Sequence, residues 1–156
     1  MTDTEARALG ARWTAALADH DRGPWRAGMR VLPVPDSDPE ERDLESGITT
    51  EPGDIATVVS TRDRCVTVAW ETDAGSAEGG TLLSDDVPDL RDAATRGACL
   101  DVVREVWGFP QCIIVPLDRG RWAWKAPDVL RRPVTIRGDT EAEAIIAAAE
   151  AAKERA

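Results

Sequence analysis

The 156-residue sequence predicts an α+β fold. Three observations carry this. Apolar residues recur at helical spacing at both ends of the chain and again after residue 92. The stretch 28–91 alternates short runs of β-branched residues with Gly-, Pro- and Asp-rich punctuation. A Trp-Ala-Trp run near residue 123 alternates with basic residues and follows a three-residue turn. The expected organisation is an N-terminal helix with its linker (1–27), a β-rich unit (28–91), and an α-β-β-(β)-α unit (92–156).

Residues 3–20 read as an amphipathic helix. Ala6, Leu9, Trp13, Ala16 and Leu17 share one face, with Thr2 or Asp3 as N-cap. Gly23 and Pro24 end it. Its apolar face is thin, so it should dock, on the rest of the chain or on a second copy.

In the β-rich unit, "GMRVLPV" is a first strand. "PDSDPEERDLESGITTEPG" is a polar loop, and with Asp54 it brings eight acids together. "GDIATVVS" is a second strand with Ile55, Thr57 and Val59 on one face. "CVTVAWE" is a third, with Val66, Val68 and Trp70 sharing a face. "TDAGSAEGG" reads as a Gly-rich loop, "TLLS" as a fourth strand, and "DDVPDL" as one closing helical turn.

In the last unit, Asp92 or Thr95 caps a helix whose inner face holds Cys99, Val102, Val103 and Val106. Gly108 and Pro110 stop it. "QCIIVPL" and "RWAWKA" form a hairpin over "DRG", and "PVTIRG" adds a third strand. The final helix begins at a Thr140–Glu143 capping box and carries an apolar stripe of Ala142, Ile145, Ile146 and Ala149.

Charge is unevenly distributed. The net charge is −10, and residues 28–91 hold fifteen acids against five bases, while the flanking segments are each neutral. Within this acidic chain, Asp118 to Gly138 concentrates six basic residues and two tryptophans. In a strand, Trp122 and Trp124 share one face and Arg121, Ala123 and Lys125 the other. Two readings follow for the tryptophans, and a further use of the basic strip is intramolecular, docking against the acidic β-rich unit. Either the tryptophans pack under the helices, or they form a stacking platform for nucleic acid beside Arg119, Arg121, Lys125, Arg131 and Arg132, extended by Arg137.

Catalytic constellations are missing. His20 is the only histidine and sits at a helix end. The three cysteines have no CxxC spacing, which suits a reduced, cytoplasmic protein, and Cys99 and Cys112 fall on apolar faces. There is no P-loop and no GxGxxG. A non-enzymatic protein with no cofactor and no metal is expected. No apolar run reaches the length of a membrane span, and "MTDTEARALG" lacks the regions of a secretory signal, so no membrane association is expected.

Three resemblances add to this. "GMRV", "PGDIATVVS", "CVTVAWE" and "GGTLLSDDVPDL" together resemble a small SH3-like barrel of the KOW or Mind-bomb type, over about 64 residues. Members of that fold bind peptides, nucleic acids or nothing known, and this copy departs from the binding types in having Trp70 as its one aromatic and no basic loops. The helix–three strands–helix order is also that of double-stranded RNA-binding domains. Those use a basic start to the last helix, whereas "DTEAEA" is acidic here, so that mode is excluded. Finally, "ATRGACLDVVREVWG", "RWAWK" and "GDTEAEAIIAAAEAA" resemble small uncharacterised proteins of bacteriophages and prophages in GC-rich bacteria. This implies an accessory protein of the host cytoplasm. Among such proteins are acidic inhibitors of host defence, including DNA-mimicking anti-CRISPR proteins.

The first functional expectation is therefore a binder whose acidic surface engages a host protein or complex with a basic surface. Its carriers would be Asp36, Asp38, Glu40, Glu41, Asp43 and Glu45 on the loop, with Asp85, Asp86 and Asp89 near the end of the barrel. The alternatives are a nucleic-acid-binding module using the basic hairpin, including Trp122 and Trp124, or a structural protein forming homo-oligomers. The net acidity weighs against general nucleic-acid affinity.

Overall fold

The computed structural model describes residues 1–34, 54–62, 65–72, 75–80, 82–126 and 134–155. The architecture is α+β. Three helices accompany two antiparallel sheets, one of five strands and one of three.

Helix α1 (Asp3–Ala16) starts at a complete capping box. The Thr2 hydroxyl accepts from the Glu5 N–H at 3.2 Å, and the Glu5 carboxylate accepts from the Thr2 N–H at 3.1 Å. The helix ends at Ala16, four residues short of the sequence expectation, with Leu17 as its C-cap. Leu17 is nonetheless buried with Ala6, Leu9 and Trp13, so the apolar pattern outlasts the helical backbone. The docking partner is the chain itself. Helix α1 lies against the third helix and the last strand of the larger sheet.

The larger sheet comprises β1 (Arg30–Leu32), β2 (Ile55–Arg62), β3 (Cys65–Thr72), β4 (Gly75–Gly80) and β5 (Val87–Pro88), in the order β4-β3-β2-β1-β5. On β2 the inward residues are Ala56 and Val58. The face holding Ile55 and Val59 is the outer one, and a register shift falls between Val58 and Ser60. On β3, Val68 and Trp70 are buried as the alternation predicts.

Three expectations fail at the end of this sheet. Residues 75–80 of the Gly-rich stretch are not a loop but β4, with Ala77 paired opposite Trp70. Small residues suit a strand lying against a large indole on its neighbour. The fourth strand expected at "TLLS" is absent from its described residues 82–84, and "DDVPDL" is not a helical turn. It holds β5, which pairs Leu32 with Val87 and Val31 with Pro88. Pro88 is tolerated because β5 is an edge strand and needs no outward donor.

Helix α2 (Ala93–Trp107) is capped by the Asp92 carboxylate, which accepts from the Thr95 N–H at 2.9 Å. It ends at Gly108 in the left-handed region (φ 74°). The buried Thr95 hydroxyl donates to Asp92 and accepts from the Arg30 N–H, each at 2.8 Å, tying β1 to the start of α2.

The smaller sheet comprises β6 (Ile113–Pro116), β7 (Trp122–Ala126) and β8 (Val134–Gly138), in the order β6-β7-β8. A short 3₁₀ turn, Asp118–Gly120, links β6 to β7. The expected hairpin and third strand are present.

Helix α3 (Glu141–Arg155) follows. The Thr140 hydroxyl accepts from the Glu143 N–H, while the Glu143 carboxylate reaches the Asp139 N–H rather than that of Thr140. The predicted stripe is buried, and so are Ala144, Ala148 and Ala152. Small side chains on several sides let α3 contact α1, α2 and all three strands of the smaller sheet. One apolar cluster runs from Leu9 and Trp13 through Val58, Val68 and Trp70 to Val103, Trp124 and Ile146, crossing all three predicted segments.

Candidate functional site

Strand β7 decides which side chains face out. Its inward residues are Trp122, Trp124 and Ala126. Trp124 is fully buried, with its ring centroid 4.8 Å from that of Trp107, whose indole N–H donates to the Ala148 carbonyl. Trp122 is half-buried and lines a cleft of about 380 Å³ with Leu90, Arg91, Arg96, Thr140 and Glu141. The packed reading therefore holds for Trp124, while Trp122 is only half-buried. Trp124 cannot stack on a nucleic acid, which corrects its place among the nucleic-acid contacts.

The other face of the smaller sheet is built by register. One row is Ile113, Lys125 and Thr135; the next is Val115, Ala123 and Arg137. Arg121 continues the same side of β7 one step further, about 13 Å from Lys125 for a strand of this rise, with Arg137 beside the midpoint. Ile113, Arg121, Lys125, Thr135 and Arg137 are exposed, and Ala123 is buried among them. Helices α2 and α3 lie on the inner side. Arg119 is exposed in the turn leading to β7, at φ 63° and ψ 32°. A non-glycine residue rarely adopts that left-handed conformation. Asp118 and Asp139, both exposed, lie together at the Arg121 end of the face.

Most cations away from this face are paired or hydrogen-bonded, although Arg30 and Arg62 form no ion pair among the described residues. Arg12, Arg22, Arg91, Arg96 and Arg104 each have a carboxylate oxygen within 3.4 Å. Arg7 donates to the Pro33 carbonyl and Lys153 to that of Ala15. Arg26 is buried, donating to the carbonyls of Arg22, Gly23 and Trp25. Burial lowers its pKa, against the attraction of Glu105. By contrast, Arg119, Arg121, Lys125 and Arg137 form no ion pair among the described residues.

The acidic candidates divide. Asp36, Asp38, Glu40, Glu41, Asp43 and Glu45 lie outside the described residues, as do Arg131 and Arg132. Asp85 is exposed. Asp86 and Asp89 are buried, which corrects their expected place on a partner surface. The Asp86 carboxylate accepts from the Val34 N–H at 2.8 Å and the Leu83 N–H at 2.9 Å, closing the turn before β5. The Asp89 carboxylate accepts from the Arg91 N–H and, through both oxygens, from the Arg91 guanidinium, which also reaches Asp3. Burial alone would raise the Asp89 pKa. The Arg91 hydrogen bonds outweigh it and hold the carboxyl below its usual value. Both aspartates satisfy donors that a tight chain reversal would otherwise leave unpaired.

Sequence reasoning singled out Arg119, Arg121 and Lys125, and saw Arg137 as an extension. It missed Ile113 and Thr135, because only the strand register places them beside Lys125. Among the described residues, no group of three His, Cys, Asp or Glu could hold a metal ion, and no helix is long and apolar enough to cross a membrane. No known protein family, curated protein or solved structure matches the chain.

Proposed function

We propose that this is a binding protein that takes an anionic partner on the outer face of the β6-β7-β8 sheet. The observation that carries the reading is the cluster of four cations that form no ion pair among the described residues, in a chain of net charge −10. Elsewhere among the described residues, Arg12, Arg22, Arg26, Arg91, Arg96 and Arg104 are paired with carboxylates, while Arg30 and Arg62 form no ion pair. Leaving Arg119, Arg121, Lys125 and Arg137 in solvent beside one another costs mutual repulsion, and an anion would relieve it. The left-handed backbone at Arg119 adds a local cost to holding a long cationic side chain in that turn.

The test is binding of the intact chain to poly-glutamate and to single- and double-stranded oligonucleotides, at salt between about 50 and 200 mM. Wild type should bind at least one of them, more weakly as salt rises. The variant Arg121→Glu/Arg137→Glu should lose that binding with an unchanged melting temperature. A wild-type chain that binds none of the three, or a double variant that binds as well, refutes the proposal.

A second reading is favoured by the charge imbalance of residues 28–91. In it, the acidic segment from Asp36 to Glu45, with the exposed Asp85, engages a basic protein. The resemblance to phage accessory proteins would make that partner a host defence complex. Reversing Asp36, Asp38, Glu40 and Glu41 to lysine should then abolish a nuclease-resistant complex isolated from host lysate. Unchanged recovery of that complex would end this reading.

A further inference from the structure

We infer that the partner of the outer sheet face is an acidic protein segment carrying apolar side chains, and not a nucleic acid. This rests on the face being an anion-binding surface, as proposed above.

The face is amphipathic across its width. Strand β6 contributes Ile113, which is 49% exposed, and the half-buried Val115. Strands β7 and β8 contribute Arg121, Lys125 and Arg137. The β6 side is therefore apolar, while the central β7 and the far β8 are cationic. Adjacent strands lie about 4.8 Å apart, so Lys125 stands about 5 Å from the β6 row and Arg137 about 10 Å from it. The full width is close to the diameter of an α-helix with its side chains. An acidic amphipathic segment lying along β7 could set apolar residues on Ile113 and Val115 and carboxylates on Arg137, Arg121 and Lys125. Such a segment combines the two contacts this face offers, charge-assisted hydrogen bonds and apolar burial.

A nucleic acid uses only half of it. Phosphates would meet the cations, but a sugar-phosphate backbone gives little apolar surface to Ile113. Bases would need aromatic platforms, and both tryptophans of β7 point inward, Trp124 completely so. Charge density points the same way. Duplex DNA carries one charge per about 1.7 Å of axis, so a body of net charge −10 repels it more than it repels a segment with a few carboxylates.

Three probes discriminate: a synthetic peptide of Glu and Leu patterned as an amphipathic helix, poly-glutamate of equal charge, and an oligonucleotide of equal charge. Each is titrated into the wild-type chain, Ile113→Ser and Arg137→Glu. Ile113 is exposed at a strand start, so its replacement should leave the fold intact. The amphipathic peptide should bind tightest. Ile113→Ser should weaken that peptide by about three- to tenfold and leave poly-glutamate unchanged, while Arg137→Glu should weaken both. Tighter binding of the oligonucleotide, or no effect of Ile113→Ser on the peptide, overturns the inference and leaves the anion-binding face standing. Binding of no anionic probe overturns both.

Discussion

Two glycines inside helices should respond in opposite directions to the same substitution. Gly10 lies in α1 and Gly97 in α2. In a helix interior, alanine is favoured over glycine by about 1 kcal/mol, through the backbone entropy that glycine loses. At Gly97 an added Cβ meets nothing within 4 Å, so Gly97→Ala should keep that gain. For a chain of this length, about 1 kcal/mol corresponds to about 2–4 °C in Tm.

At Gly10 the added Cβ would lie 2.6 Å from the Pro88 carbonyl oxygen, 2.6 Å from Val87 Cγ2 and 2.7 Å from Val87 Cβ. Retreat is expensive on both sides. Strand β5 is held by its ladder to β1 and by the Asp89 N–H on the Arg30 carbonyl at 2.9 Å. Helix α1 is held by Arg7 on the Pro33 carbonyl and by Arg12 on Glu150, both at 2.6 Å. Overpacking of this kind costs about 1–3 kcal/mol or more. A contact this tight against backbone belongs at the upper end, so Gly10→Ala should lose about 1–2 kcal/mol net, or about 2–8 °C. Calorimetry and urea unfolding of the two variants read the difference directly. If Gly10→Ala raises Tm in parallel with Gly97→Ala, α1 does not sit on β5 at this distance, and the packing argument fails.

Other consequences can be checked with single variants. Trp124→Ala should cost about 3–5 kcal/mol, as for any fully buried Trp, and the half-buried Trp122→Ala clearly less; equal losses in urea unfolding would contradict the inward placement of Trp124. The depressed Asp89 pKa makes its contribution complete above the unfolded carboxylate value of about 4, and lost as pH falls through the lower folded value. Asp89→Asn should therefore be less stable at neutral pH, with the gap to wild type closing in acid; a gap independent of pH would rule out the Arg91 pair as its source. Burial raises the Cys99 and Cys112 thiols above their ordinary value, whereas Cys65 is exposed. A thiol reagent should label one cysteine in the native protein and three after denaturation, and native labelling of Cys99 would show an opened core. Arg119→Gly should keep or raise stability by up to about 1 kcal/mol, by easing a left-handed backbone, yet weaken binding to anionic probes; a loss of stability would mean that the Arg119 side chain holds the turn.

Much of the secondary structure was legible along the chain, because its signals are local. Thr2 with Glu5, Asp92 with Gly108, and Thr140 with Glu143 mark helix ends through hydrogen bonds spanning a few residues. The alternation in "RWAWKA" sorted tryptophans from basic residues before any partner strand was known, because successive strand residues point to opposite sides. The same local logic misled at "TDAGSAEGG" and "DDVPDL". Glycine suits a loop in isolation, but residues 75–80 form β4 as a ladder on β3, with Ala77 opposite Trp70. Asp86 and Asp89 look like surface charge until the backbone donors of Val34 and Leu83 and the Arg91 guanidinium are brought to them.

The candidate site shows the division most clearly. Amino-acid order alone placed Arg119, Arg121 and Lys125 on one hairpin and turned Trp122 and Trp124 away from them, since parity along a strand is a covalent property. The sequence also carries the excess of acid that makes free cations conspicuous. It could not show that Ile113 and Thr135 stand in the row of Lys125, or that Arg137 stands beside Ala123. Nor could it show that, among the described residues, those four cations have no ion pair while Arg12, Arg22, Arg91 and Arg96 do. Register and ion pairing join residues remote in the chain, such as Arg12 with Glu150. They are settled when the helices bury one side of each sheet, because that burial determines which side remains in water.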